Sequence, residues 1–510
     1  MARRKVASVR SNTNQVVSEE SLRDFRIDIL NSFLMTPHRD MKKIEGIHSD
    51  VLVKDPLFYG HLGSWYFDKG EIRDHKIAFL GNLLTSSIPE HREAGYVLLQ
   101  PLPPEQVSHV VKFIFDDLSR WTKKGLPTSG FKAVKSYLKE IESNEARFDG
   151  AAVRMRKHMT YLYIMSKTKP NDRARAILFD RNPPKGSKPW VVKELSKVKD
   201  PSEQAKWIVK NKIPYPVASS VVQKMTPSII IALVSSMTPQ EVINNLGSLK
   251  EHGAMKNPDI KKLIEDKIGK ASKDKRVTML KTRKGAEAVK DDQGMVEKLE
   301  AVRDDMMSNK AVKITRSTGL LIDVSGSMSQ ALRVGREIAA LLGASCENDL
   351  FVYAFNTMPY PIIVETKKTK PTLSDWEKAT KNLVGAGGTS IGCSLEFMIR
   401  SKQRAEQFII VSDQEENTRP LFTNAYDKYC KELAVEPSMW FVRVGSARTF
   451  VEDEMKKQGK EVGSFDGRHG DYYSWPGFVT MLSKPSILDL LFEIMDYPLP
   501  VRKDLHPESV

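Results

Sequence analysis

Leu320-Leu321-Ile322-Asp323-Val324-Ser325-Gly326-Ser327-Met328 decides the fold of the C-terminal part of this chain. An apolar run ends in an acid, hydroxyls follow at alternate positions, and a helical pattern occupies 329–342. Such a run reads as a parallel-sheet strand covered on both faces. Its carboxyl end opens into a hydroxyl-bearing loop, which is where open α/β sheets hold their ligands. Two later stretches complete a site. Gly385-Ala386-Gly387-Gly388-Thr389-Ser390 is a glycine-rich loop presenting a threonine, and Phe408-Ile409-Ile410-Val411-Ser412-Asp413 is a second apolar run ending in an acid.

Hydroxyls and carboxylates in this arrangement suit a hard cation. Magnesium prefers oxygen ligands in octahedral array and retains several waters. Ser325, Ser327 and Thr389 are therefore the candidate direct ligands, with Asp323 and Asp413 behind them holding waters and hydroxyl protons. The competing reading of Asp-Val-Ser-Gly-Ser alone is a polar turn after a strand. The five positions together, in order, favour the metal. The pattern resembles the metal-ion-dependent adhesion site of the von Willebrand factor A fold, and the resemblance extends over about 312–495.

The surrounding text alternates as a doubly wound α/β domain should. Strands are expected at 319–324, 350–355, 408–412 and 439–444, with a short edge strand at 361–364. Helices are expected at 329–342, 374–382, 390–401, 421–433 and 487–495. A dinucleotide-binding fold fails on its fingerprint, because no Gly-x-Gly-x-x-Gly follows the first strand.

At 510 residues, 40% of them hydrophobic, the chain has room for two or three domains. No stretch of 18 apolar residues occurs, so no membrane span is expected. The basic start Met1-Ala2-Arg3-Arg4-Lys5 has no apolar segment behind it and does not read as a secretory signal. The three cysteines, Cys346, Cys393 and Cys430, lack metal-binding spacing and point to a reducing, cytoplasmic setting. A monomer is expected.

The net charge of +15 is unevenly shared. Residues 313–510 hold 24 Lys+Arg against 26 Asp+Glu, leaving 55 against 38 for residues 1–312. The whole positive excess lies on the N-terminal part, which suggests a polyanionic partner, nucleic acid first.

That part reads as helical from 18 to 268 after a basic arm at 1–17. Helical patterns occupy 72–84, 105–121, 131–141 and 154–165, and Asp200-Pro201 and Thr238-Pro239 each place a cap before a proline with an acid two residues on. Many short-linked helices without strand text suggest an α-solenoid of stacked helix pairs. Residues 269–311 are highly charged and read as a helical connector. The α/β domain then occupies 312–498, and 499–510 form a tail.

Residues 151–200 carry 13 Lys+Arg against four acids. Arg154, Arg156, Lys157, His158 and Tyr161 open this cluster, and Lys167, Lys169, Arg173 and Arg175 continue it. Tyr161, Tyr163 and Trp190 interleave aromatic rings with the cations, as a surface gripping phosphates and stacking bases requires. Arg120, Lys123, Lys132 and Lys135 form a second cluster. Any one of them could be an ordinary solvated charge; the ensemble favours an RNA-binding surface.

A basic helical module followed by an A-type domain with its metal motif resembles the Ro family, whose helical part is named TROVE after telomerase, Ro and vault proteins. The residues carrying this are Thr318 to Met328, Ala386-Gly387-Gly388-Thr389 with Cys393-Ser394-Leu395, and Val411-Ser412-Asp413. The resemblance implies a ring of HEAT-like helical repeats closed by the A-type domain. It implies binding of small structured non-coding (Y-like) RNA on the outside and of single-stranded 3′ ends of misfolded RNA through the hole, in RNA quality control. An exoribonuclease is one protein partner in keeping with such a role. No catalytic activity is expected, since no zinc-protease, serine-hydrolase or nuclease pattern is present. The competing function is a protein-binding adaptor whose Mg²⁺ captures an acidic residue of a partner. A metal-dependent nuclease has weaker support, because the expected ligands are mostly neutral and no general base is evident.

Overall fold

The computed structural model describes residues 25–26, 29–30, 41–70, 72–116, 128–274, 276–310, 313–326, 328–366, 370–383, 385–467, 478, 482–484 and 487–502. The arm at 1–17 lies outside the described residues.

Helices fill the N-terminal part, and their apolar stripes explain how they stack. Helix Pro104–Asp116 buries Val107, Val110, Val111 and Ile114, and helix Thr128–Ser143 buries Val134, Tyr137, Leu138 and Ile141. Each set follows the i, i+3, i+4, i+7 spacing of a single helix face. The caps read from sequence form as expected. Asp200 accepts from the Glu203 amide at 2.8 Å, and Thr238 and Glu241 complete a reciprocal capping box. Thr226, which precedes a proline in the same way, makes no side-chain cap. The architecture is the expected helical solenoid followed by an α/β domain.

The charged stretch 269–311 is more than a connector. Helices Met279–Ala288 and Gln293–Lys310 pack on each other and bury Val289, Met295, Leu299, Val302 and Met306 in the core of the neighbouring repeats. Lys284, Glu287, Glu297 and Lys298 are exposed, while Lys281, Arg283, Arg303 and Asp304 are partly buried. Structurally these helices are the last pair of the solenoid.

The C-terminal domain is built on a six-stranded sheet. Its strands are β1 (Thr318–Asp323), β2 (Leu350–Phe355), β3 (Pro359–Pro361), β4 (Gln407–Ser412), β5 (Ser438–Arg443) and β6 (Val462–Asp466). They lie in the order β3-β2-β1-β4-β5-β6. All pairings are parallel except that of β3 with β2. The prolines of β3 suit an edge. Every residue of β1 and β4 is buried, as expected for central strands covered by helices on both faces. The order of strands reverses between β1 and β4, and the crevice beyond their carboxyl ends lies at that switch point.

Among the described residues the two halves meet at two helix–helix junctions. Helix Gln293–Lys310 packs on helix Ser329–Ser345, and helix Pro56–Lys69 packs on helix Ile487–Asp496. One apolar cluster runs through the second junction from Phe58 and Leu62 to Leu490 and Ile494. Polar contacts surround it. Trp65 Nε1 donates to Glu493 at 3.0 Å, and His61 Nδ1 donates to the Tyr497 carbonyl at 2.7 Å. In the segment read as a tail, Arg502 grips Glu93 through both its Nε and an Nη and stacks on Tyr96. The packed elements therefore form a closed circuit. No described helix is long and apolar enough to cross a membrane.

Truncating Ile494, which is fully buried in this shared cluster, to alanine should cost about 2–5 kcal/mol. Because the cluster belongs to both halves, guanidinium unfolding followed by tryptophan fluorescence should show both destabilised together. A shift confined to the α/β domain would contradict the shared core.

Candidate functional site

Asp323 ends β1 and is fully buried. Its Oδ1 accepts from the Ser325 amide at 2.8 Å and its Oδ2 from the Ser412 hydroxyl at 2.7 Å. Ser412 Oγ in turn accepts from the Gln414 amide at 2.9 Å. This buried carboxylate thus ties the loop after β1 to the end of β4. Burial lifts its pKa above the usual aspartate value; hydrogen bonds from Ser325 and Ser412 oppose the lift and the neighbouring Asp413 charge adds to it.

The glycine-rich loop is clamped between the other two. The Ala386 amide donates to the Val324 carbonyl at 3.0 Å. A side chain at Gly385 would place its Cβ 3.1 Å from the Gly326 carbonyl oxygen, and one at Gly388 would come 2.6 Å from Asn417 Oδ1. A side chain would force a shift at Gly388 and would be tight against backbone at Gly385. Asn417 Oδ1 also accepts from the Thr389 amide at 2.9 Å, while the Thr389 carbonyl accepts from the amides of Asn417 and Thr418.

Four of the five expected metal-site residues are thereby brought to one crevice. Asp323, Ser325, Thr389 and Asp413 are all buried there, and Ser327 lies outside the described residues. Among the described residues no Lys or Arg pairs with either aspartate, and no group of three or more His, Cys, Asp and Glu forms a conventional metal cluster. The donor set is one of hydroxyls with two uncompensated carboxylates behind them. That set fits a hard divalent cation with retained waters.

Of the acids following Asp413, Glu416 holds the backbone together, while Glu415 makes an exposed ion pair. Glu416 accepts from the amides of Ile391, Gly392 and Phe422, holding the starts of two helices with one carboxylate. Glu415 pairs with Arg448 at 3.1 Å. In the sequence these acids read equally as raising metal affinity or as discouraging an acidic partner; the contact of Glu416 with Ile391 and Gly392, 25 and 24 residues away, has no local signal.

No protein-family model and no curated protein matches the chain. A solved structure does: the Ro (RSR) protein of Deinococcus radiodurans, with a TM-score of 0.56 and 16% sequence identity, over 94% of this chain and 95% of that one. The chain has the Ro fold. The likeness spans the helical module and the A-type domain in the same order, at an identity where the fold is what is shared.

On the helical module of this Ro fold the expected RNA-contacting residues divide into two groups. Arg154, Lys157, Lys167, Lys169 and Arg175 are exposed. So are Lys132 and Lys135, which share one face of helix Thr128–Ser143 with Lys139, opposite its buried stripe. Arg120 and Lys123 lie outside the described residues.

The second group is taken up inside the fold. Arg173 forms a two-point contact with buried Asp149 at 2.9 and 3.1 Å and reaches Glu145 at 3.3 Å. Arg156 donates to the Leu178 carbonyl at 2.6 Å, and His158 Nδ1 meets the Ser108 hydroxyl at 2.6 Å. Tyr161 is half-buried against the core, and Tyr163 is buried with its hydroxyl on Glu142. Arg156, Arg173 and Tyr163 are therefore framework residues rather than a phosphate-gripping and base-stacking set. Their partners lie 21 to 24 residues away in sequence, beyond what a local charge count can see.

Replacing Arg173 by alanine should destabilise the protein by about 3 kcal/mol, because it strands a buried carboxylate. The same change at exposed Arg175 should stay within about 0.5 kcal/mol. Equal melting temperatures for the two variants would contradict this division.

Proposed function

We propose that the chain is a non-catalytic RNA-binding scaffold of the Ro type. One coincidence carries the reading: a Ro fold spanning the chain, with its entire positive excess on the helical module. Exposed lysines and arginines on long side chains hold phosphates without reading bases, so they position an RNA rather than select its sequence. The RNA classes that suit this surface are small structured non-coding (Y-like) RNA and the single-stranded 3′ ends of misfolded RNA. The cellular role is RNA quality control in the cytoplasm.

The A-type domain adds a docking site. Ser325, Ser327 and Thr389 would hold Mg²⁺ directly, with Asp323 and Asp413 behind them. Bound there, the ion supplies a positive centre for a carboxylate of a protein partner, an exoribonuclease being one such partner. What the chain itself contributes is orientation: Asp323 fixes the Ser325 loop against the end of β4. The adaptor reading uses this same site and differs in expecting little RNA affinity at physiological salt.

A paired experiment separates the two activities. Charge reversal at Arg154, Lys157, Lys169 and Arg175 together should weaken RNA binding strongly and flatten its salt dependence, by about 0.7–0.9 in log–log slope for each phosphate no longer neutralised. Asp323→Ala should abolish Mg²⁺ binding by calorimetry and leave RNA affinity in place. An unchanged salt slope in the first variant, or unchanged Mg²⁺ affinity in the second, would remove the corresponding half of the proposal.

A further inference from the structure

A cavity of about 600 Å³ opens on the helical module, between the turn at Pro101–Pro104, helices Glu145–Met165 and Lys188–Leu195, and the segment Asn211–Pro214. Its lining includes the apolar residues Leu102, Ile141, Val153, Val191 and Ile213. Its charged lining residues are Arg147, Arg154, Lys188 and Lys212, and no carboxylate lines it. The helix Glu145–Met165 departs from helical geometry at Met155, on the cavity wall.

The four cations are available to a ligand. All are exposed, and among the described residues Lys188 and Lys212 carry no ion pair. Arg147 meets Glu140 and Arg154 meets Glu241, but both pairs are solvent-exposed and contribute little. The nearby carboxylate of Asp149 is already neutralised by Arg173 and accepts from the Lys188 amide.

We propose that this cavity is a nucleotide site, taking one nucleoside monophosphate unit with its base on the apolar side chains and its phosphate among Arg147, Arg154, Lys188 and Lys212. The volume lies in the range that encloses small organic ligands. Apolar side chains in a lining that holds four cations and no carboxylate complement a heterocycle that carries a phosphate. Placement on the basic module makes an RNA terminus one source of the unit and a free nucleotide the other. The first of these rests on the RNA-binding reading above; the second does not.

Gly150 provides the test. It lies within a helix and lines the cavity, and a Cβ built there meets only Lys188 Nζ at 3.8 Å. Leucine at this position fills the cavity while improving helix propensity, so Gly150→Leu should melt no lower than wild type. Calorimetry with AMP should give saturable binding to the full chain, weakened at least tenfold by Gly150→Leu and by Lys188→Glu/Lys212→Glu. Adenosine, lacking the phosphate, should bind at least tenfold more weakly than AMP. Competition by a tetranucleotide, with or without a 5′-phosphate, assigns the site to RNA; failure of both forms to compete assigns it to free nucleotide. Absence of saturable AMP binding, or AMP binding unaffected by Gly150→Leu, overturns the proposal. Wild-type protein that binds AMP but no RNA leaves the pocket standing and overturns the RNA-binding function instead.

Discussion

Helices Pro56–Lys69 and Ile487–Asp496 bury their apolar faces on each other, and that contact converts an open solenoid into a closed circuit. The Trp65–Glu493 hydrogen bond beside it links residues 428 positions apart. Closing so long a loop costs little more entropy than closing a much shorter one, because the penalty grows only with the logarithm of length. Burial of Phe58, Leu62, Leu490 and Ile494 in a common cluster offsets that cost. The other junction, where helix Gln293–Lys310 meets helix Ser329–Ser345, follows directly along the chain and carries no comparable loop cost.

Within that closed frame the chemistry is divided. The α/β domain is close to electrically neutral and gathers hydroxyls and carboxylates at the switch point of its sheet. The helical module carries the positive excess and presents it on exposed lysines and arginines. Asp323 acts locally, holding two loops together; the cations act over a broad face and through many weak contacts. A single substitution can therefore disable the first, and only a group of substitutions the second.

Sequence patterns exposed much of this and missed what depends on distant partners. The strands at 319–324, 350–355, 408–412 and 439–444 fall within one residue of those observed, because uninterrupted apolar runs mark buried parallel strands. β6 escaped, since it is short and Gly463 interrupts it; a side chain there would run into the Trp440 ring. Residues 269–311 looked like a connector because the charges outnumber Met295, Leu299, Val302 and Met306, whose spacing nonetheless marks a buried face. Arg173 looked like a phosphate ligand because Asp149, its buried partner, lies on another helix. Asp323, Ser325, Thr389 and Asp413 could be grouped from sequence because each sits at or just after a strand end or in a glycine loop, where local sequence and fold topology coincide.

Photocrosslinking of a small structured RNA to the full chain, with mass spectrometry of the linked peptides, tests the division most directly. The account predicts crosslinks on the helical module, concentrated between residues 128 and 214, and none at the crest formed by the loops after β1 and β4. Crosslinks confined to residues 318–466 would contradict it.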